Sequence, residues 1–181
     1  RSGRVTGVQT CALPILALYG YTNKVLAEIY AHLMKHPELT KFLYYTDNEY
    51  KEKDILEQEK PTVSDIANKK IFMYKRVEET VKDAGAYMFI DVYRITPTKI
   101  GGKIREVTFT VDILVHQDCV DTMNGNRAVC ILCALEESLG EYVKKHSIGS
   151  IDLIRVAPIL GIIKEFIGYQ MQFKAYGFNG D

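Results

Sequence analysis

The stretch REVTFTVDILVH, Arg105–His116, puts Val107, Phe109, Val111, Ile113 and Val115 at every second position, with Thr108, Thr110, Asp112 and His116 among the residues between. Successive side chains of a strand point to opposite faces, so a period of two predicts a strand with one apolar and one polar face. A face left polar is the mark of an antiparallel sheet covered on one side only.

Working upstream, AYMFIDVYR (residues 86–94) and IFMYKRV (residues 71–77) have the β-branched and aromatic content of strands. TPTKIGGK (residues 96–103), between AYMFIDVYR and the deciding strand, reads as a hairpin loop with basic flanks that projects beyond the sheet. Downstream, RAVCILCALEESLGEYV begins a helix near Asn126, with a buried stripe of Ala128, Ile131, Leu132, Leu135, Leu139 and Tyr142 and an end weakened by Gly140. Two closing strands follow, IDLIRVAPI (residues 151–159) and YQMQFKAYGF (residues 169–178). In the second, Gln170, Gln172 and Lys174 alternate with Met171, Phe173 and Ala175, which predicts one wet face.

The front of the chain reads differently. TNKVLAEIYAHLMK (residues 22–35) spaces Val25, Leu26, Ile29, Tyr30 and Leu33 as one face of a helix, with Thr22 as N-cap and Pro37 as its stop. LTKFLYY (residues 39–45) adds a short second helical piece. Residues 46–70 are charge-dense and read as a long surface connection with a helical turn after Ser64. The order is helix, three strands, helix, two strands. It predicts an α+β fold: a mainly antiparallel sheet of about five strands with helices packed on one face. No repeat or low-complexity tract breaks residues 16–181, which are expected to form one domain.

VTGVQTCALPI (residues 5–15) needs separate treatment. A basic start and an apolar run suggest a secretory leader, but Tyr19 and Tyr21 interrupt the run and no small-residue cleavage site follows. Written as codons, the same residues resemble a sequencing-library adapter translated in frame. Residues 1–15 are therefore expected to be a non-native, disordered tail, and the native chain is expected to begin near Leu16 with its own N-terminus shortened.

The chain carries 23 basic and 23 acidic residues. That balance gives no electrostatic footprint for duplex nucleic acid. No run approaches the roughly 18 apolar residues of a membrane span, so a soluble protein is expected. Tyrosine is frequent, 12 against 7 phenylalanines, which suits half-exposed sheet faces and subunit contacts. Without Cys11, Cys119, Cys130 and Cys133 remain, an odd set that argues against a disulfide framework and for a cytosolic origin.

No reaction is advertised. Glu28, His32 and His36 share a helical stripe, but HLMKH lacks the glutamate of HExxH, and the stripe reads as a helix rim with His36 near the C-terminal end. His116, Cys119, Cys130 and Cys133 have zinc-like spacing, yet Cys130 and Cys133 stand inside an apolar helix, where cysteine acts as a small hydrophobe. Asp91 and Asp112 lie on strands, where neighbouring acids on a wet face are ordinary. Neither a nucleophile elbow nor a phosphate loop is present. The protein is expected not to be an enzyme and to need no cofactor.

KFLYYTDNEY after a helix, NKKIFMYKRV, the passage VTFTVDILVHQDCVDTMNGNRAVCIL with its ALEESLG continuation, and the closing GYQMQFKAYGF together resemble tailed-bacteriophage neck proteins of the tail-terminator or tail-completion type. Asn126-Arg127-Ala128 keeps the arginine with which such proteins open their second helix. The resemblance implies a virion structural protein, assembled in a bacterial host's cytoplasm into a homo-oligomeric ring that meets the tail tube and the head connector. No membrane and no sequence-specific nucleic acid are among the implied partners. Ring contacts are expected from Lys99, Gly101, Gly102, Lys103 and Arg105 around the hairpin loop, and from Tyr169, Gln170, Gln172 and Lys174 on the last strand. The competing expectations are a small ligand-binding α+β domain and a zinc-stabilised interaction module.

Overall fold

In the computed structural model, which describes residues 12–74, 81, 83–97, 105–146, 150–159 and 165–176, Arg105–His116 is the central strand of a five-stranded sheet. Along the chain the helices are α1 (Ala12–Leu33), α2 (Pro37–Tyr44), α3 (Val63–Ile66) and α4 (Arg127–His146). The strands are β1 (Ile71–Phe72), β2 (Ala86–Pro97), β3 (Arg105–His116), β4 (Asp121–Thr122), β5 (Gly125–Asn126), β6 (Ser150–Pro158) and β7 (Phe166–Tyr176). The sheet is ordered β1-β2-β3-β7-β6, and β4 and β5 form a separate two-stranded hairpin. Among the described strands of the sheet the β1–β2 pairing alone is parallel, Ile71 and Phe72 lying opposite Met88 and Phe89, and an isolated parallel bridge joins Ala67 to Ile71. The architecture is α+β, as the element order predicts.

The apolar face of β3 carries the core. Val107, Phe109, Val111, Ile113 and Val115 are all buried, joined by Met88 and Ile90 from β2 and by Met171, Phe173 and Ala175 from β7. Phe109 and Phe173 stack with ring centroids 5.3 Å apart. Helices cover this face through Ile29 and Leu33 of α1, Leu39 and Leu43 of α2, and Ile131, Leu135 and Tyr142 of α4. Each such side chain contributes roughly 1.5–3 kcal/mol by leaving water, so this single layer is the main source of stability.

Several boundaries differ from expectation, each for a physical reason. Helix α1 begins at Ala12 and runs through Thr22, which therefore does not cap it. Pro14 falls in the first turn, where its missing amide has no intrahelical acceptor to lose. Ala12–Ile15, the end of the segment read as adapter, lies in this helix, and residues 1–11 lie outside the described residues. Pro37 opens α2 instead of merely ending α1, and His36 caps it, its Nδ1 accepting from the Leu39 amide at 3.4 Å. His36 does stand just past the C-terminal end of α1, its amide donating to the Leu33 carbonyl at 3.2 Å, but it is a buried cap and not an exposed rim residue.

The connection over residues 46–70 is not wholly surface. Ile55 and Ile66 are fully buried in the core. Pro61 is buried as well, Tyr50 and Ala67 pack against the core, and polar contacts add to these anchors: Asn124 accepts from the Ile55 amide (3.1 Å) and donates to Asp54 (2.8 Å). The expected turn is α3, opened by a capping box between Thr62 and Asp65.

Strand β1 is only two residues long; Met73 and Tyr74 are exposed beyond it, and residues 75–77 lie outside the described residues. Strand β2 continues to Pro97, and a bulge between Val92 and Arg94 leaves Tyr93 69% exposed. Pro97 pairs with Arg105, so β2 and β3 form the expected hairpin, while its tip, residues 98–104, lies outside the described residues. In α4 the expected stripe is buried except for half-buried Leu132, and Arg127, Ala134 and Ser138 are buried as well.

The outer face of the sheet is wet over only part of its area. Leu114, on the polar side of β3, is fully buried in a second cluster with Phe72, Val81, Tyr87 and Phe89. Phe72 and Phe89 stack at 5.0 Å.

Candidate functional site

The rest of the outer face is a mosaic of charges set by strand register. Arg94 lies opposite Thr108, and Thr108 opposite Lys174, which in turn faces Asp152. One row along, Asp91, Thr110, Gln172 and Arg155 align. Lys174 Nζ pairs with Glu106 at 2.8 Å, and that bond holds its amine above the ordinary lysine value. Gln170 donates to Asp112 at 2.7 Å. Pairs of this kind add little to stability, so their significance is pattern: both signs share one face of the sheet.

Of the residues expected to make contacts, Gln170, Gln172 and Lys174 come together on this face. Tyr169 does not join them, because the strand alternation turns it to the helix side, where it packs half-buried against the main core. Arg105 is the first residue of β3, opposite Pro97. Lys99, Gly101, Gly102 and Lys103 lie outside the described residues.

A second surface went unremarked in the sequence. Strand β6 is an edge: β7 pairs with one side, and no described strand pairs with the other. Leu153 and Val156 align with Phe173 and Met171 and so lean to the helix side, yet they are 37% and 44% exposed. Ile154 sits at a bulge between Leu153 and Arg155 and is 50% exposed. Ile167 of β7 is also exposed. The available signal was the failure of IDLIRVAPI to alternate: apolar residues occupy both parities, which fits a strand covered on both faces and not one standing at the rim.

The candidate metal sets are dispersed into ordinary hydrogen bonds. Glu28 accepts from the Tyr142 hydroxyl (3.3 Å), His32 Nε2 lies 3.0 Å from the Ser138 carbonyl, and His36 caps α2. Cys119 is buried with its thiol 3.3 Å from the His116 carbonyl, Cys130 points to the Asn124 carbonyl at 3.6 Å, and Cys133 is exposed. Among the described residues no three His, Cys, Asp or Glu side chains gather where a metal ion could be held. Asp91 and Asp112 are not opposite one another; they face Thr110 and Phe89.

Arg127 is the buried polar centre of the fold. It is fully enclosed at the start of α4, donating from Nε to the Cys119 carbonyl (2.6 Å) and from Nη1 to the Phe42 carbonyl (2.8 Å). Its Nη2 has no hydrogen-bond partner among the described residues. Burial pulls the guanidinium below the ordinary arginine value. The side chain ties α2, α4 and the turn after β3 together without a carboxylate.

A one-sided mixed sheet under a helical layer, with an arginine knot inside and a charged face and open edge outside, defines this α+β domain. The model of the YomW family matches residues 36–175, from just before α2 to the end of β7, and the chain belongs to that family. The family bears a phage-type name, and the protein is phage-associated. None of the curated proteins compared with the chain matches it. Among the described residues no helix is long and apolar enough to cross a membrane.

Proposed function

We propose that this chain is a structural virion protein of a tailed bacteriophage, forming a ring at the head–tail junction that terminates or completes the tail. The supporting observation is the open β6 edge, with Leu153, Ile154 and Val156 exposed, in a chain of a phage-associated family. An uncovered edge strand carrying apolar side chains invites pairing with another chain. A second copy of the same chain is the occupant this reading assigns. Subunits of a closed ring meet through two different patches; the β6 edge is one, and the charge mosaic around Lys174, Gln172 and Arg94 supplies a polar surface for the other.

The partners are then further copies, the tail-tube protein and the head connector. Catalysis has no part in this role. The protein would be made in the bacterial cytoplasm and end in the virion. Light scattering over a concentration series, alone and with tail tubes, is expected to show assembly into one discrete ring size. A monomer under every one of those conditions contradicts the reading. The competing ligand-binding reading has one observation in its favour, a cleft beside Lys70.

A further inference from the structure

Lys70 stands just ahead of β1, and its Nζ lies 5.0 Å from the centroid of the Tyr87 ring. Gly85 leaves room for that placement. A Cβ there would come within 3.1 Å of Lys70 Nζ and 3.3 Å of the Tyr87 hydroxyl. The Gly85 backbone cannot easily retreat, since its carbonyl accepts from the His116 amide at 2.8 Å. Tyr87 is fixed in turn by donating to the Asp83 carbonyl at 3.0 Å. Asn68, with φ 55, sits in the left-handed region with its backbone N–H donating to the Ile71 carbonyl (3.1 Å).

Asn68, Lys70, Asp83 and Tyr87 line a cleft of about 490 Å³ together with Phe72 and Tyr74, and Gly85 stands behind it. That volume falls within the range of roughly 300–1,000 Å³ typical of small-molecule sites. The amine inside has no hydrogen bond or ion pair among the described residues, only the tyrosine face. Burial pushes it below the ordinary lysine value; the carboxylates of Asp47 and Asp83 act only at a distance, and Arg127 adds further positive charge. An oxyanion would accept hydrogen bonds from this half-buried ammonium while a flat body meets the exposed ring of Tyr74 at the rim of the cleft. Asp83 also lines the cleft, and its negative charge disfavours a doubly charged guest.

We propose that this cleft is a binding site for an organic monocarboxylate with a planar apolar body, anchored by the ammonium of Lys70. The site is independent of the ring assignment and uses none of its surfaces. The test is an amide NMR titration of the full chain with benzoate, its neutral isostere benzamide and the dianion phenyl phosphate. Benzoate is expected to cause saturable shifts centred on Lys70, Gly85 and Tyr87. Benzamide, and benzoate with the Lys70→Met variant, should bind about tenfold more weakly or worse, the loss of one charge-assisted hydrogen bond. Benzamide binding as well as benzoate, phenyl phosphate binding more tightly, or benzoate shifts absent or scattered elsewhere would each overturn the proposal. The wild-type titration decides the matter even if Lys70→Met fails to fold.

Discussion

A guanidinium enclosed without a carboxylate is tolerable only because two carbonyls accept from it. Arg127→Met keeps the bulk but leaves the Cys119 and Phe42 carbonyls without their donors. Burying an unmatched carbonyl costs on the order of 1–3 kcal/mol, while removing the desolvated charge returns part of that. A net destabilisation of about 2 kcal/mol is expected, read as a lower urea midpoint. Arg127→Lys should recover little, since one ammonium on a flexible stem cannot fork to two fixed carbonyls. The residue was half visible beforehand. It stands four positions before Ile131, on the stripe that α4 buries, but a basic residue at a helix start reads as solvent-facing until its acceptors are known.

Helices α1 and α4 are clamped by a short polar ladder: His32 to the Ser138 carbonyl, Tyr142 to Glu28, with the His32 and Tyr142 rings 5.4 Å apart. Burial holds His32 below the ordinary histidine value, only partly offset by the Ser138 carbonyl. The folded state therefore binds fewer protons than the unfolded state within the window from that depressed value up to the ordinary one near ~6.5. Stability should be intact above the window and fall as pH drops through it, and His32→Gln should flatten the fall in thermal melts recorded across that range.

At the front of α4, Asn126 accepts from the amides of Ala128 (3.0 Å) and Val129 (3.3 Å). Asn126→Ala should cost about 1 kcal/mol in chemical denaturation. Elements were the most readable scale. Period two located β3 to the residue, the apolar stripe located α4 closely, and three-four spacing found the end of α1 but not its start at Ala12. The errors came where local pattern gives way to tertiary contacts. Ile55 and Ile66 are single apolar residues in charged surroundings, and β1 stops after Phe72 although IFMYKRV continues to look strand-like.

Strand order over the whole molecule had no local signature. Nothing in the sequence says that the last strand inserts between β3 and β6, leaving β6 at the rim, or that β1 joins in parallel. The contact residues expected from polarity, Gln170, Gln172 and Lys174, do share a face, whereas Tyr169 has the parity of Met171 and Phe173 and is turned to the helix side. The apolar rim at Leu153, Ile154 and Val156 emerges only when β6 is placed at the edge of the sheet with these side chains exposed. If that rim joins copies of the chain, a charge placed there should abolish assembly without unfolding the subunit, since the position is already solvated in the monomer.

Sedimentation velocity over a concentration series, comparing the native chain with Val156→Asp, tests this most directly. The account predicts a single large species growing in with concentration for the native chain and a folded monomer throughout for the variant. Equal assembly by both chains, or a native chain that stays monomeric at every concentration, would contradict it.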